Sequence, residues 1–394
     1  MALVRLFHHP NHPINSLSHR YSTMSAKRPI RHLSPSIALV LLLPAAGSQA
    51  YDINDQFSIS GLLAAGGQCI EGSDAVDGTC RGADPFQGEL AFKPTSQDEL
   101  IDKFGFAAGN GLNPVSPFAL STWAADLEDD VKDINGRARS YLLEARYGHT
   151  FEFSEGHSLQ LTGGIIDSTA FVNGNAFAND EYTQFMNEVF VNAHSASLPS
   201  YDLGGALVWT LGELSLTGVG MDVGENDDGR GYNFYAVEAG YHPQTALGAG
   251  NYRVMYASTT KDFFDAAGER PERLESWHFS FDQELGAVFG VFLRAGFQGD
   301  AALVDYEAEY SGGLNIQGKA WGRESDNIGL GLAYLDGGND ALARSTVVEG
   351  YYRFAVNDYL ALTADVQYQQ DDYRTDEDED VDGWVLGMRA TVEF

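Results

Sequence analysis

Long hydrophobic runs are missing from most of this 394-residue chain. Beyond residue 50 the longest, residues 285–293, has nine residues, where a membrane-crossing helix needs roughly 20. Any crossing of a bilayer must therefore be made by strands. Basic residues are scarce as well: 24 Lys and Arg stand against 56 Asp and Glu, a formal charge of −32. Such a balance disfavours nucleic acid as a partner. It leaves three readings open: cation attraction at a pore, divalent bridging to lipopolysaccharide, or adaptation to a salty environment.

Cysteine is nearly absent. Cys69 and Cys80 are the only pair, separated by a polar segment with Gly and Asp, and in an exported chain they are expected to close a loop as a disulfide. Two cysteines without nearby histidines make a poor metal site. Enzyme signatures are also lacking, with no G-x-S-x-G, H-E-x-x-H, Walker or dinucleotide loop after residue 50. His149, His157, His194, His242 and His278 fall in different segments. A run of acids at 376–382 begins like an EF-hand loop, but Arg389 stands where its closing bidentate Glu belongs. Neither catalysis, a cofactor nor a metal is expected.

What the chain does have begins with an export signal. Lys27, Arg28 and Arg31 precede an apolar run at 37–43 and the small residues Ser48 to Ala50, so residues 1–50 read as a secretory signal peptide with upstream material, Met24 being a second candidate start. Cleavage after Ala50 would remove five basic residues and no acid, taking the charge to −37.

From there to the end, segments of about ten alternating residues recur between Gly/Asp/Asn turns. In 384–394, Trp384, Leu386, Met388, Ala390, Val392 and Phe394 take one face and Arg389, Thr391 and Glu393 the other. Similar alternation marks 57–65, 87–92, 140–153, 158–167, 201–211, 213–223, 232–242, 251–260, 274–284, 288–298, 309–321, 326–335, 346–356 and 358–369. Fifteen candidates need one missed strand for an even count. The expected fold is all-β: a transmembrane antiparallel barrel of about 16 strands, as one domain over 51–394. Its outer face carries lipid and its inner face water, so Arg389 and Glu393 are expected to meet the lumen.

Three stretches break the rhythm and read as short helices in or near the lumen: 95–104, 123–134 and 179–192. The first two suggest a plug-like part around 93–136. Around 131–146, Asp133, Arg137, Arg139, Glu144 and Arg146 set both signs of charge side by side. That arrangement suits a constriction, and equally salt bridges that rigidify the barrel. Residues 179–192 supply the amides and carboxylates that bind sugar hydroxyls, with aromatic rings beside them.

At these residues the chain resembles the OprB-type carbohydrate-selective porin family. The likeness rests on NPVSPF and LEDDVKDINGRARSYLLEARY, then GGIIDSTAF, NDEYTQFMNE and SLPSYDLGGAL, then GRESDNIGLGLAY, VVEGYYRF and YLALTADVQY, over about residues 85–394. The resemblance implies a 16-stranded outer-membrane barrel of a Gram-negative bacterium that admits glucose and other small sugars by passive diffusion. It implies lipid and lipopolysaccharide around the barrel, and a C-terminal Phe394 read by the barrel-assembly machinery. By matching segments it makes Glu144, Arg146, Asp167, Asn179, Asp180, Glu181, Gln184, Asn187, Glu188, Glu349 and Arg353 candidates to line or support the narrow part. The chain departs from the family in the acidic run 376–382 and the cysteine pair. A general or cation-preferring pore and a plugged structural barrel are the alternatives, and monomer and homotrimer both stay open.

Overall fold

The structure, a computed structural model, describes residues 51–73, 76–125, 128–137, 139–226, 228–374 and 379–394. The expected signal peptide and residues 375–378 of the acidic run lie outside the described residues. Sixteen antiparallel strands form a closed barrel. They are β1 (Phe57–Glu71), β2 (Thr79–Ala83 continuing as Phe86–Phe92), β3 (Asp98–Phe106), β4 (Leu142–Ser154), β5 (His157–Ile166), β6 (Asp202–Leu211), β7 (Leu214–Val223) and β8 (Tyr232–Tyr241). The second half comprises β9 (Gly248–Thr259), β10 (Glu275–Leu285), β11 (Phe289–Gln298), β12 (Tyr306–Gln317), β13 (Asn327–Gly337), β14 (Leu342–Ala355), β15 (Leu360–Tyr373) and β16 (Val381–Glu393). Each strand pairs with its sequence neighbour, and β16 closes the ring on β1 by running Trp384–Glu393 against Leu62–Glu71. Among these sixteen strands the closure leaves none without a partner on either side.

The last residue completes that closure. Phe394 donates its amide to the Gly61 carbonyl at 3.0 Å and accepts from the Gly61 amide at 2.8 Å. A Cβ on Gly61 would sit 2.4 Å from the Phe394 ring, so only glycine lets the ring lie over β1. On the outer face of β16, Met388 is 70% exposed, and Trp384 and Leu386 are about half exposed. Apolar side chains left this open along a whole strand are expected only against lipid. The alternation read from residues 384–394 is thus the lipid face and lumen face of one strand. Aromatic pairs such as Phe57 stacked on Phe92 at 4.3 Å and Tyr368 beside Trp384 at 5.2 Å lie near strand ends, as an interfacial girdle requires.

The missing strand is β3, where the sequence suggests a helix at 95–104. The Thr95 hydroxyl does accept the Asp98 amide at 3.1 Å, as a helix cap would. The segment is nevertheless flanked by β2 and β4, which pair with it on both sides. Two full ladders outweigh a local helix preference, and Leu100 and Phe106 then face lipid while Ile101 and Lys103 face inward. Residues 93–106 accordingly belong to the wall and not to a plug.

Cys69 and Cys80 are bonded across β1 and β2, directly opposite each other in the register. The bridge staples the hairpin whose turn spans residues 72–78. Closing a loop with a sequence separation of 11 stabilises by about 3 kcal/mol in the chain-entropy account. The Cys69→Ser/Cys80→Ser double variant should still assemble but lose its compact, heat-modifiable electrophoretic form at a lower temperature. An unchanged transition would mean that neighbouring ladders hold the hairpin unaided.

Candidate functional site

Two long connections at one end of the barrel fold into the lumen: residues 107–141 between β3 and β4, and residues 167–201 between β5 and β6. The turns at the other end are short, which marks it as the periplasmic side. Leu112, Phe118 and Trp123 of the first insert pack on inward residues of β1 and β16. Phe185, Val189 and Phe190 of the second pack on Phe292, Ala333, Val347 and Tyr351 of β11, β13 and β14. Val172, Ala193 and Ala196 pack on the inner face of β6 to β9.

Little of either insert is helical. In place of the helices read at 123–134 and 179–192 there are α1 (Glu128–Lys132), a 3-10 turn at Ile134–Gly136, and α2 (Glu188–Val191). The reason lies in competing acceptors. The Asp180 carboxylate takes the amides of Tyr182 and Thr183 at 2.8 and 3.1 Å, which folds a local turn. The Glu349 carboxylate of β14 takes the amides of Met186 and Asn187 at 2.6 and 3.1 Å. A helix continuing through these residues would need the same donors.

The Glu349 contact is one of a set around the wall. Glu238 of β8 accepts from the Asn173 amide at 2.8 Å, Asp282 of β10 from Ala176 at 3.2 Å, and Glu309 of β12 from Ser195 at 3.0 Å. Asp371 of β15 accepts from Ala119 of the first insert at 2.8 Å. Two buried arginines meet the carbonyls: Arg294 of β11 donates to Phe190 and Asn173, and Arg389 of β16 donates to Glu181 and Gln184. Gln68 of β1 and Gln367 of β15 both donate to the Thr122 carbonyl.

Burial divides the candidates between lining and supporting. Glu349 is 1% exposed and Asn187 0%, so neither lines water; both hold the second insert in place. Arg389, expected in the lumen, is buried beneath that insert. Glu144 and Asp167 are also buried, Glu144 between Arg146 at 2.9 Å and Lys103 at 3.5 Å, and Asp167 capping a short turn through Thr169. Asp133, Arg137 and Arg139 lie where the inserts leave the lumen: Arg137 pairs with Asp202 at 3.2 Å, Arg139 donates to the Tyr201 carbonyl, and Asp133 is exposed. Arg137 thus ties the first insert to β6 and β7, and Arg139 ties it to the end of the second insert.

The candidates that remain partly open fall in three places. Asn179, Asp180, Glu181 and Gln184 form the half-exposed tip of the second insert, with Thr183, and Glu188 follows, accepting from the Ser121 amide at 2.8 Å. Arg146 is half-exposed on β4, its guanidinium 5.9 Å from the Phe171 ring centroid. Arg353 pairs with Glu393 at 3.1 Å towards the periplasmic end. The inserts leave one arc of the wall largely bare: Ser60, Gln87, Glu89, Glu99, Lys103, Thr150 and Gln160 on β1 to β5 all face inward and stay half-exposed. Sequence reading missed this arc because its residues are ordinary polar members of alternating strands; the absence of covering residues distinguishes them, and that is a tertiary property.

A closed barrel with an aromatic girdle, inserts seated inside and a polar arc left open defines an outer-membrane diffusion channel. Residues 118–394 match the model of the carbohydrate-selective porin, OprB family. An uncharacterized protein of Aquifex aeolicus (strain VF5) is 31% identical over 311 residues, covering 77% of this chain and 87% of its own. The high-pH structure of Pseudomonas putida OprB superposes with a TM-score of 0.67 at 15% identity, covering 86% of this chain and 94% of that one. The low-pH structure gives 0.55 at 14% identity, covering 86% and 93%. The chain belongs to the OprB family and is a passive carbohydrate porin of the outer membrane.

Because hydrogen bonds to charged groups stabilise by about 1.5–3 kcal/mol each, removing an anchor should loosen its insert. Glu349→Ala should give single-channel currents that are larger and noisier than wild type in planar bilayers. Identical, quiet currents would show that the other anchors suffice.

Proposed function

We propose that small neutral sugars of glucose size pass between the β1 to β5 arc and the tip at residues 179–184, with no energy coupling within the chain. The observation that carries this is the division of polar side chains. Those on the far wall are buried and consumed by the inserts' backbone, whereas those on the arc and at the tip remain open to water. Arg146 and Lys103 offer fixed donors, held by the buried Glu144 between them. Asp180 and Glu181 supply acceptors from the tip. Sugar hydroxyls both donate and accept, so this pairing suits them, and the Phe171 ring beside Arg146 adds an apolar surface. Each contact is weak enough to let the solute leave.

The strongest motive for a cation-preferring pore, the acid excess, weakens on the same grounds. Glu238, Asp282, Glu309, Glu349, Asp365 and Asp371 are all buried in the wall and do not present charge to a passing ion. Catalysis is not part of the proposal either. Ser195, His278 and Glu309 do gather at one place, but all three are buried where the second insert, which carries Ser195, packs on the wall.

Replacing Arg146 by Ala should lower glucose permeation in liposome swelling about threefold to tenfold, in line with losing a hydrogen bond from a charged donor, while salt conductance persists. Swelling rates that follow solute size alone, in wild type and variant alike, would overturn the sugar pathway.

A further inference from the structure

On the periplasmic side of Arg146, the bare arc deepens into a cavity of about 270 Å³. Its lining includes Ser60 and Leu62 of β1, Gln87 and Glu89 of β2, Lys103 of β3 and Glu393 of β16. Strand register puts three of these in a row: Ser60 is opposite Glu89, and Glu89 is opposite Lys103. Facing pairs in a sheet sit about 5 Å apart at Cβ, so a hydroxyl, a carboxylate and an ammonium stem line up across three strands.

Most of these groups already have partners. Glu393 pairs with Arg353 at 3.1 Å, Lys103 lies 3.5 Å from Glu144, and the Gln87 amide donates to the Tyr182 hydroxyl at 3.0 Å. Glu89 and Ser60 differ. Among the described residues neither makes a side-chain hydrogen bond or an ion pair, although both face the cavity. In the rest of the lumen wall, carboxylates such as Glu238, Glu309 and Glu349 are occupied by insert backbone. Glu89 is therefore a wall carboxylate left open to a solute.

We propose that this cavity is a second binding station, placed after the narrow passage, for a single polyhydroxylated ring, with Glu89 as its principal acceptor. The proposal rests on reading the passage as a sugar path and adds where the sugar pauses. An ionised carboxylate only accepts, and its two oxygens can take two vicinal hydroxyls at once. Ser60 can take or give one further bond, and Leu62 supplies an apolar surface for the ring's C–H face. The open depression is smaller than the roughly 300–1,000 Å³ of sites for larger ligands, so it seats one ring and leaves the second ring of a disaccharide outside its lining. Neutral polyols satisfy Glu89, while anionic solutes are repelled by it.

The test uses the full-length porin in planar bilayers with glucose added from the periplasmic side, current being expressed relative to each protein's own glucose-free value. Wild type should show saturable reduction and excess noise in the current. Glu89→Gln and Glu89→Ala should raise the half-blocking glucose concentration, by about tenfold for Ala; Ser60→Ala, the milder change, should raise it less. Heat-modifiable migration confirms that each variant is folded. Maltose should block wild type far less than glucose. Equal glucose block in wild type and both Glu89 variants, or no saturable block in wild type, would overturn the station. Liposome swelling separates the two ideas: if glucose still permeates faster than size-matched solutes, the passage stands while the station falls.

Discussion

Irregular backbone at membrane depth must have every amide and carbonyl satisfied from within the protein, and the wall of this barrel is built around that requirement. The two inserts contribute few internal helical bonds. Their donors go instead to carboxylates on β8, β10, β12, β14 and β15, and their carbonyls take Arg294, Arg389, Gln68 and Gln367. Because the carboxylates and arginines among these partners are charged and buried, their contacts are both stronger and costlier to break than a bond between neutral groups. The inserts are thereby held in one arrangement even though they carry little secondary structure of their own.

The position of the pore follows from this. With the inserts fastened along β6 to β16 and on the far half of β1, the wall left uncovered runs from the start of β1 to β5 and lies to one side of the lumen. Polar residues on the two sides of the lumen then do different work. On the covered side a glutamate is a structural acceptor; on the open side Glu89 and Arg146 stay uncovered and partly exposed to the lumen. The pronounced acidity of the chain is to a large extent a wall property, since many of its carboxylates are committed inside the barrel. Backbone strain is confined to the same inserts: Asn135, Tyr141, Asn173, Ser197 and Tyr201, the non-glycine residues with positive φ among those described, all lie there. Tyr141 and Tyr201 each immediately precede the strand by which an insert rejoins the wall, where the chain must turn sharply out of the lumen.

Much of the barrel was legible from residue order. A strand with lipid on one side and water on the other must alternate, and β15 and β16 do so without interruption. The cysteine pair was legible for the same local reason, being two residues in a short hairpin. Residues 95–104 were misread because Thr95 and Asp98 form a cap-like contact that opens either a helix or a strand, and only the partners on both sides decide between them. Residues 179–192 carry a helical spacing that is real as a pattern of burial, yet the wall carboxylates divert their amides.

The sequence by itself determined that the chain crosses the membrane as strands, that one face of each meets lipid, and that residues 123–134 and 179–192 leave the wall. Those are consequences of period and composition, which are local. Tertiary structure alone decided which inward polar groups stay uncovered: Glu349 and Glu89 are both inward-facing glutamates on alternating strands, and nothing near either in sequence distinguishes them. The difference is made by residues 186 and 187, which arrive from a distant insert to cover Glu349, and by the absence of any such segment over Glu89. Which groups are covered depends on contacts between remote parts of the chain, and those form only when the barrel has closed.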